Sequence, residues 1–300
     1  MDKEYLRKFM TDFDYPKEAQ AALVHTWDVL TANHNNRERF DSLISLYQEN
    51  YLCDISVVTE KCAVIAQDSG ESVYTVELLL LISLSKMLKK RYHECGIDER
   101  VWFDGMCDLK YKLLECRLVK GVWGTFVAAW LWKWFRLELF ALGRLQFEMV
   151  PFKMDSYTKN EKHLSKGDPV INVHIPRTMT PLDRESCLAS YDKAAIFFKK
   201  YFLGKPIAFV CDSWLLYPNN REILPPKSNI RSFMEDYDII EYRESLPGDY
   251  SSMWRLFDMD YTGNVDDFPS DTSVRRNYIQ HMKNGGRVGS GYGVFFYKAE

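Results

Sequence analysis

Proline is almost missing from the first half of this 300-residue chain: Pro16 stands alone before position 151, and the other ten prolines follow. Proline breaks helix interiors, so this distribution predicts helix in the first half and mixed structure beyond it. A surplus of Lys and Arg is missing too. Thirty-nine basic residues against 42 acidic ones leave a net charge of −3, which is not the balance of a chain that neutralises phosphate backbones, so nucleic acid is not expected as a partner. The seven cysteines, at 53, 62, 95, 107, 116, 187 and 211, form no CxxC pair or Cys/His cluster with zinc-ligand spacing. An odd, scattered set reads as reduced thiols, with no structural metal or disulfide. No uninterrupted apolar run reaches the ~20 residues of a membrane span. Residues 122–142 carry four tryptophans but are broken by Lys133, Arg136 and Glu138, and read as a buried helix. The opening Met1-Asp-Lys-Glu-Tyr5 has no apolar signal-peptide core, so a cytoplasmic location is expected.

What is present is aromatic surface, 15% of residues, in a composition that is 46% hydrophobic and 27% charged, which is that of a folded globular chain. Apolar residues recur at helical spacing through residues 17–34 (Ala21, Leu23, Val24, Trp27, Leu30), again at Phe40, Leu43, Ile44 and Tyr47, and at Ile55, Val58, Cys62 and Ile65. A helix over 72–92 ends in Lys89, Lys90 and Arg91, another begins at the N-cap candidate Asp98 and stops at Gly121, and 125–139 closes the set. Beyond it the period changes to two. Strands are expected at 144–152, 170–175, 207–211, 238–242, 253–257 and 293–297, with a long helix over 183–202, short ones around Arg221 and Ile230, and another over 272–282. The fold class is therefore α+β: an all-helical domain, then a mixed-sheet α/β domain, with the boundary near 140–145.

Ligands of α/β sheets gather outside the carboxyl ends of strands, and two expected strands end in chemistry. His174 closes one, as a candidate base near neutral pH. Cys211-Asp212-Ser213-Trp214 closes the next. If the strands are neighbours, a base, a carboxylate and a hydroxyl share one crevice, although Asp and Ser are also common turn formers. Asn229, after Ser228, is either part of a helix cap or a ligand contact. The five glycines of 285–293 suggest a phosphate cradle, but a cradle needs a following helix. A tight turn into the last strand is the better reading.

Together the segments Leu142-Gly-Arg-Leu-Gln-Phe-Glu148, Gly167-Asp-Pro-Val-Ile-Asn-Val-His-Ile-Pro176, Phe209-Val-Cys-Asp-Ser-Trp-Leu-Leu-Tyr-Pro218, Ser228-Asn-Ile-Arg-Ser-Phe233 and Gly291-Tyr-Gly-Val-Phe295 resemble a family of bacterial acyltransferase-domain proteins. Its members pair a helical N-acyltransferase-type N-terminal domain with a GNAT-like C-terminal domain, here 1–141 and 142–300. The resemblance implies a mixed sheet whose two central strands splay to admit an acyl-CoA thioester, an acyl group moving to an amine acceptor, His174 or Asp212 as base and Ser213 as proton donor to the thiolate. It implies Arg177, Thr178, Thr180, Cys211, Trp214 and Asn229 as the CoA-contacting set. One departure stands out. Where related acetyltransferases carry an Arg/Gln-x-x-Gly-x-Gly/Ala pyrophosphate loop, this chain reads Pro176-Arg-Thr-Met-Thr-Pro181, with an arginine and no glycine. The missing glycines keep open a non-catalytic binding protein on the same fold. A Ser/Cys hydrolase using Ser213 or Cys211 with His174 is a third reading, without the glycine-flanked elbow such nucleophiles occupy.

Overall fold

Residues 2–178 and 180–297 are described by a computed structural model, and they fall into two units, Met1–Phe140 and Ala141–Glu300. The first holds α1 (Lys3–Asp12), α2 (Lys17–Ala32), α3 (His34–Glu49), α4 (Ile55–Ser69), α5 (Val73–Glu94), α6 (Glu99–Lys120) and α7 (Ala128–Phe135). Side chains of Asp2, Asn33, Asp54 and Asp98 accept from the first free backbone N–H groups of α1, α3, α4 and α6, as N-caps do. The centre is α5, which touches every other helix of this unit. Its residues Leu78, Leu79, Leu80, Leu81, Ile82 and Leu84 are all buried, which explains an apolar run that covers the whole circumference rather than one stripe. Cutting any one of these leucines to alanine costs about 2–5 kcal/mol.

The tryptophan-rich segment is buried but shorter as a helix than its composition suggests. Only Ala128–Phe135 is helical. Leu137 then takes a left-handed φ of 57°, and the chain enters strand β1 (Leu139–Ala141).

The remaining elements are β2 (Gln146–Pro151), β3 (Ser156–Lys159), β4 (Lys162–Ser165), β5 (Pro169–His174), α8 (Arg184–Phe202), β6 (Ala208–Ser213), α9 (Asn220–Ile223), α10 (Asn229–Met234), β7 (Asp238–Glu244), α11 (Trp254–Phe257), α12 (Ser273–Lys283) and β8 (Gly289–Phe296). The six-stranded sheet runs in the order β1-β2-β5-β6-β8-β7, and β3 and β4 form a separate hairpin. β5 and β6 run parallel, joined through α8, while β2–β5, β6–β8 and β7–β8 are antiparallel. On one face, Leu164 and Tyr157 of the hairpin pack with Val170, Val210, Tyr292 and Val294. On the other, Tyr191 of α8 meets Phe209 and Phe295 at ring distances of 5.1 and 5.0 Å.

Two sequence readings change here, and one hairpin is added that the sequence reading did not include. The stretch 253–257 is not a strand: a 3-10 turn and α11 occupy it, because Tyr250, Met253 and Phe257 are buried together in one cluster at helical spacing. The β3–β4 hairpin turns on Asn160 and Glu161, both with left-handed φ, a two-residue turn without the usual glycine signal. The glycine-rich run is only partly a turn. Gly289, Gly291 and Gly293 lie inside β8, where a Cβ would collide with the Arg243 carbonyl, the Leu216 carbonyl and the Tyr237 side chain.

Candidate functional site

The middle of the sheet is where its ladder fails. β5 and β6 pair through Ile171–Phe209 and Asn172–Val210 only, yet β5 continues to His174 and β6 to Ser213. Beyond the last rung the facing backbone edges no longer bond each other. Such edges offer N–H and C=O groups to an extended ligand. The two strands expected to flank the site are thus neighbours, parallel, with their carboxyl ends at this break.

Strand alternation sorts the candidates by face. Glu148, Asn172, His174, Val210 and Asp212 fall on one face, following the registers Glu148–Asn172 and Asn172–Val210. There the Glu148 Oε1 lies 3.0 Å from His174 Nε2 and accepts from Asn172 Nδ2 at 2.9 Å. Asp212 stands on the same face but is held by cations: Lys153 Nζ donates to it at 3.1 Å and Arg243 Nη2 at 2.8 and 3.0 Å. Lys153 also pairs with Glu241 at 3.3 Å and sits 3.9 Å over the Tyr292 ring. Asp212 is thus engaged by two cations and His174 by a carboxylate, so the geometry separates them as candidate bases.

Cys211 and Ser213 fall on the opposite face. The Cys211 side chain is fully buried, and burial, then the nearby Asp212 charge, pushes its thiol well up, away from the reactive thiolate. Ser213 Oγ accepts the Leu215 N–H at 3.2 Å and so starts the 3-10 turn over β8. Trp214 packs edge-on against Tyr278 at 5.9 Å, in the cluster around α12. Cys211 is thus buried, Ser213 engaged in a turn and Trp214 in packing. Ser213 and Cys211 lie on the face opposite His174, so the Ser/Cys–His arrangement needed for a hydrolase is not assembled.

The β5–α8 connection is shaped by arginines. Arg144, which the sequence did not single out, donates to the Pro181 carbonyl at 3.0 Å and the Pro176 carbonyl at 3.1 Å, tying both ends of the loop. Arg177 donates to Asp258 Oδ2 at 2.7 Å. Asp258, left-handed at the end of α11, also takes Arg275. Thr178 and Thr180 share a hydroxyl contact of 2.8 Å. At the start of α8 the Asp183 carboxylate accepts the Ser186 N–H at 2.8 Å, a bond that holds its carboxyl below the usual range. An anion already stands where a phosphate loop would present free N–H groups. Asn229 is exposed on the first turn of α10, whose cap is Ser228. Among the described residues no His/Cys/Asp/Glu group could hold a metal ion, and no helix is long and apolar enough to cross a membrane.

Comparison with known proteins places this geometry. Residues 139–295 match the model of the GNAT-like C-terminal domain. The chain belongs to that family. Residues 4–137, ahead of the GNAT-like domain, match the N-acyltransferase N-terminal domain. Among solved structures the chain is similar to an acyltransferase in complex with decanoyl-CoA and teicoplanin, with a TM-score of 0.76 and 19% identity over 99% of this chain and 89% of that one. A variant acyltransferase in complex with octanoyl-CoA gives the same values. An acyltransferase with CoA and 10C-teicoplanin gives 0.73 and 19% over 97% of this chain and 87% of that one. At such identity the likeness establishes the fold. Nothing among the curated proteins matches the chain.

Sequence reasoning passed over Glu148, Lys153, Arg144 and Asp258. Glu148 had a readable signal, an acid at an inward position of an alternating strand. Asp258 had none, since its partners lie 81 and 17 residues away.

Proposed function

We propose that the chain is an acyl-CoA-dependent N-acyltransferase, moving an acyl group from a CoA thioester to an amine, with 1–141 as its N-acyltransferase-type domain and 142–300 as its GNAT-like domain, acting in the cytoplasm. The observation that carries this reading is the end of the β5–β6 ladder at Asn172–Val210, with His174 two residues beyond. Its neighbours in complex with octanoyl-CoA, decanoyl-CoA and teicoplanin support medium-chain donors and a bulky amine-bearing acceptor. The chemistry asks for few groups. A neutral amine nitrogen attacks the thioester carbon, the oxyanion is met by backbone N–H at the open strand edge, and the C–S bond breaks. His174 takes the amine proton, and the CoA thiolate leaves and is protonated to the thiol.

The test is release of free CoA thiol, followed colorimetrically, from acetyl-, octanoyl- and decanoyl-CoA with a panel of amines. Acceptor-dependent release and an amide product of the expected mass support the proposal. The engagement of Arg177 by Asp258 and the capping of α8 by Asp183 favour a second reading, a binding protein of the same fold without turnover. Tight acyl-CoA binding with no thiol release under any acceptor would decide for it.

A further inference from the structure

Glu148 belongs to no role yet assigned, although its carboxylate is the most buried charged group near the break in the sheet: its side chain is 7% exposed against 21% for His174. A buried carboxylate is stable only where donors reach it. The strands supply them by register. Asn172 is the direct cross-strand partner of Glu148, and His174 is the next residue of β5 on that face, within diagonal reach of a long side chain. Asn172 Nδ2 and His174 Nε2 converge on the same oxygen, at 2.9 and 3.0 Å. Asn172 Nδ2 also stands 3.1 Å from Nε2, and its second hydrogen would bond there only to a bare Nε2, so the amide and the carboxylate call for opposite tautomers. If Nε2 carried a lone pair, it would face the carboxylate oxygen lone pair to lone pair. The Nε2–H form makes the carboxylate contact attractive, and a hydrogen bond to an ionised acceptor is about twice as strong as one from a neutral amide, so the carboxylate sets the tautomer.

Resting on the acyltransferase reading above, we propose that Glu148 is a positioning residue for His174: it holds Nε2 protonated, fixes the ring, and leaves Nδ1 as the nitrogen that receives the amine proton. Asn172 helps to hold the carboxylate in place. When the amine attacks and Nδ1 takes its proton, the imidazolium forms beside an anion already in position, so no group has to reorganise. The proton later leaves Nδ1 for solvent or the departing thiolate, and Glu148 stays ionised throughout.

Two measurements on the full chain test this. Imidazole-labelled protein, with the His174→Asn spectrum to assign the signal among the six histidines, should show His174 with Nε2 protonated and hydrogen-bonded, and that downfield proton should vanish in Glu148→Ala. In the thiol-release assay Glu148→Gln and Glu148→Ala should lower kcat about 100-fold, the lower end of what a general base contributes, with KM for acyl-CoA unchanged within about twofold. Glu148→Gln keeps the shape and serves if the alanine variant does not fold. A His174 ring protonated at Nδ1 with a bare Nε2, or variants with wild-type kcat, would overturn the positioning role. If the wild type releases no CoA from any donor, the acyltransferase reading fails and the catalytic part of this proposal falls with it. The ring signal still reports whether Glu148 sets the tautomer.

Discussion

Gly291 of β8 lies so close beneath the carbonyl oxygen of Leu216 that no methyl group fits between them. The 3-10 turn that follows β6 folds back over β8, and Gly289, Gly291 and Gly293 alternate along the strand to let it do so. Glycine inside a strand commonly marks such an approach. Replacing Gly291 by Ala must push the turn away or bend the strand, which costs about 1–3 kcal/mol, as overpacking does. Urea unfolding of Gly291→Ala checks this. A midpoint equal to wild type would mean that the turn yields freely.

This contact also shows where sequence reading stops. The five glycines were plain, but whether they cradle a phosphate, make a turn or lie beneath another segment depends on what crosses them, and Leu216 is 75 residues away. Local signals did carry far elsewhere. The helix cap at Asp98, the left-handed stop at Gly121, the period of α8 and the apolar run of β6 all depend on residues near one another in the chain. His174 and Asp212 were legible as strand ends. Their separation into a candidate base and an ion-paired carboxylate was not, because Glu148, Lys153 and Arg243 come from other strands and loops.

Arg177 is engaged by Asp258. If it turns to CoA phosphate on binding, Arg177→Ala should weaken CoA by about 1.5–3 kcal/mol, the worth of a hydrogen bond to a charged group, or roughly 10- to 150-fold in Kd. Titration calorimetry with CoA reads this directly. An unchanged Kd would show that Arg177 belongs to the Asp258 clasp alone and that the phosphates are held elsewhere.

His174 and Asp212 share a face but not a role. Removing a general base typically costs about 100- to 10,000-fold in rate, so His174→Ala should lose turnover on that scale. Asp212→Asn should stay within about tenfold while lowering stability, because Lys153 and Arg243 then lose the charge they neutralise. Steady-state rates with one acyl-CoA, beside melting curves for both variants, separate the two effects. A larger rate loss in Asp212→Asn than in His174→Ala would reverse the assignment.

Glu77 lies on α5, where burial pushes its carboxyl from 4.5 up to about 7. Burial also pushes the neighbouring Cys62 thiol up to about 12, with the Glu77 charge adding to it. The sign of the stability effect follows from proton counts. Between about pH 4.5 and 7 the folded chain keeps a proton on Glu77 that the unfolded chain has released. Stability from this group is therefore full below pH 4.5, falls as pH rises, and is gone above about 7. Glu77→Gln is uncharged at every pH and escapes that loss. Allowing for partial solvent screening, it should gain about 1–2 kcal/mol over wild type on going from pH 5 to pH 8. Urea unfolding of both proteins at the two pH values measures the difference, and groups common to the pair cancel. An advantage of the same size at pH 5 and pH 8 would mean that Glu77 ionises in the folded chain as freely as it does in the unfolded one.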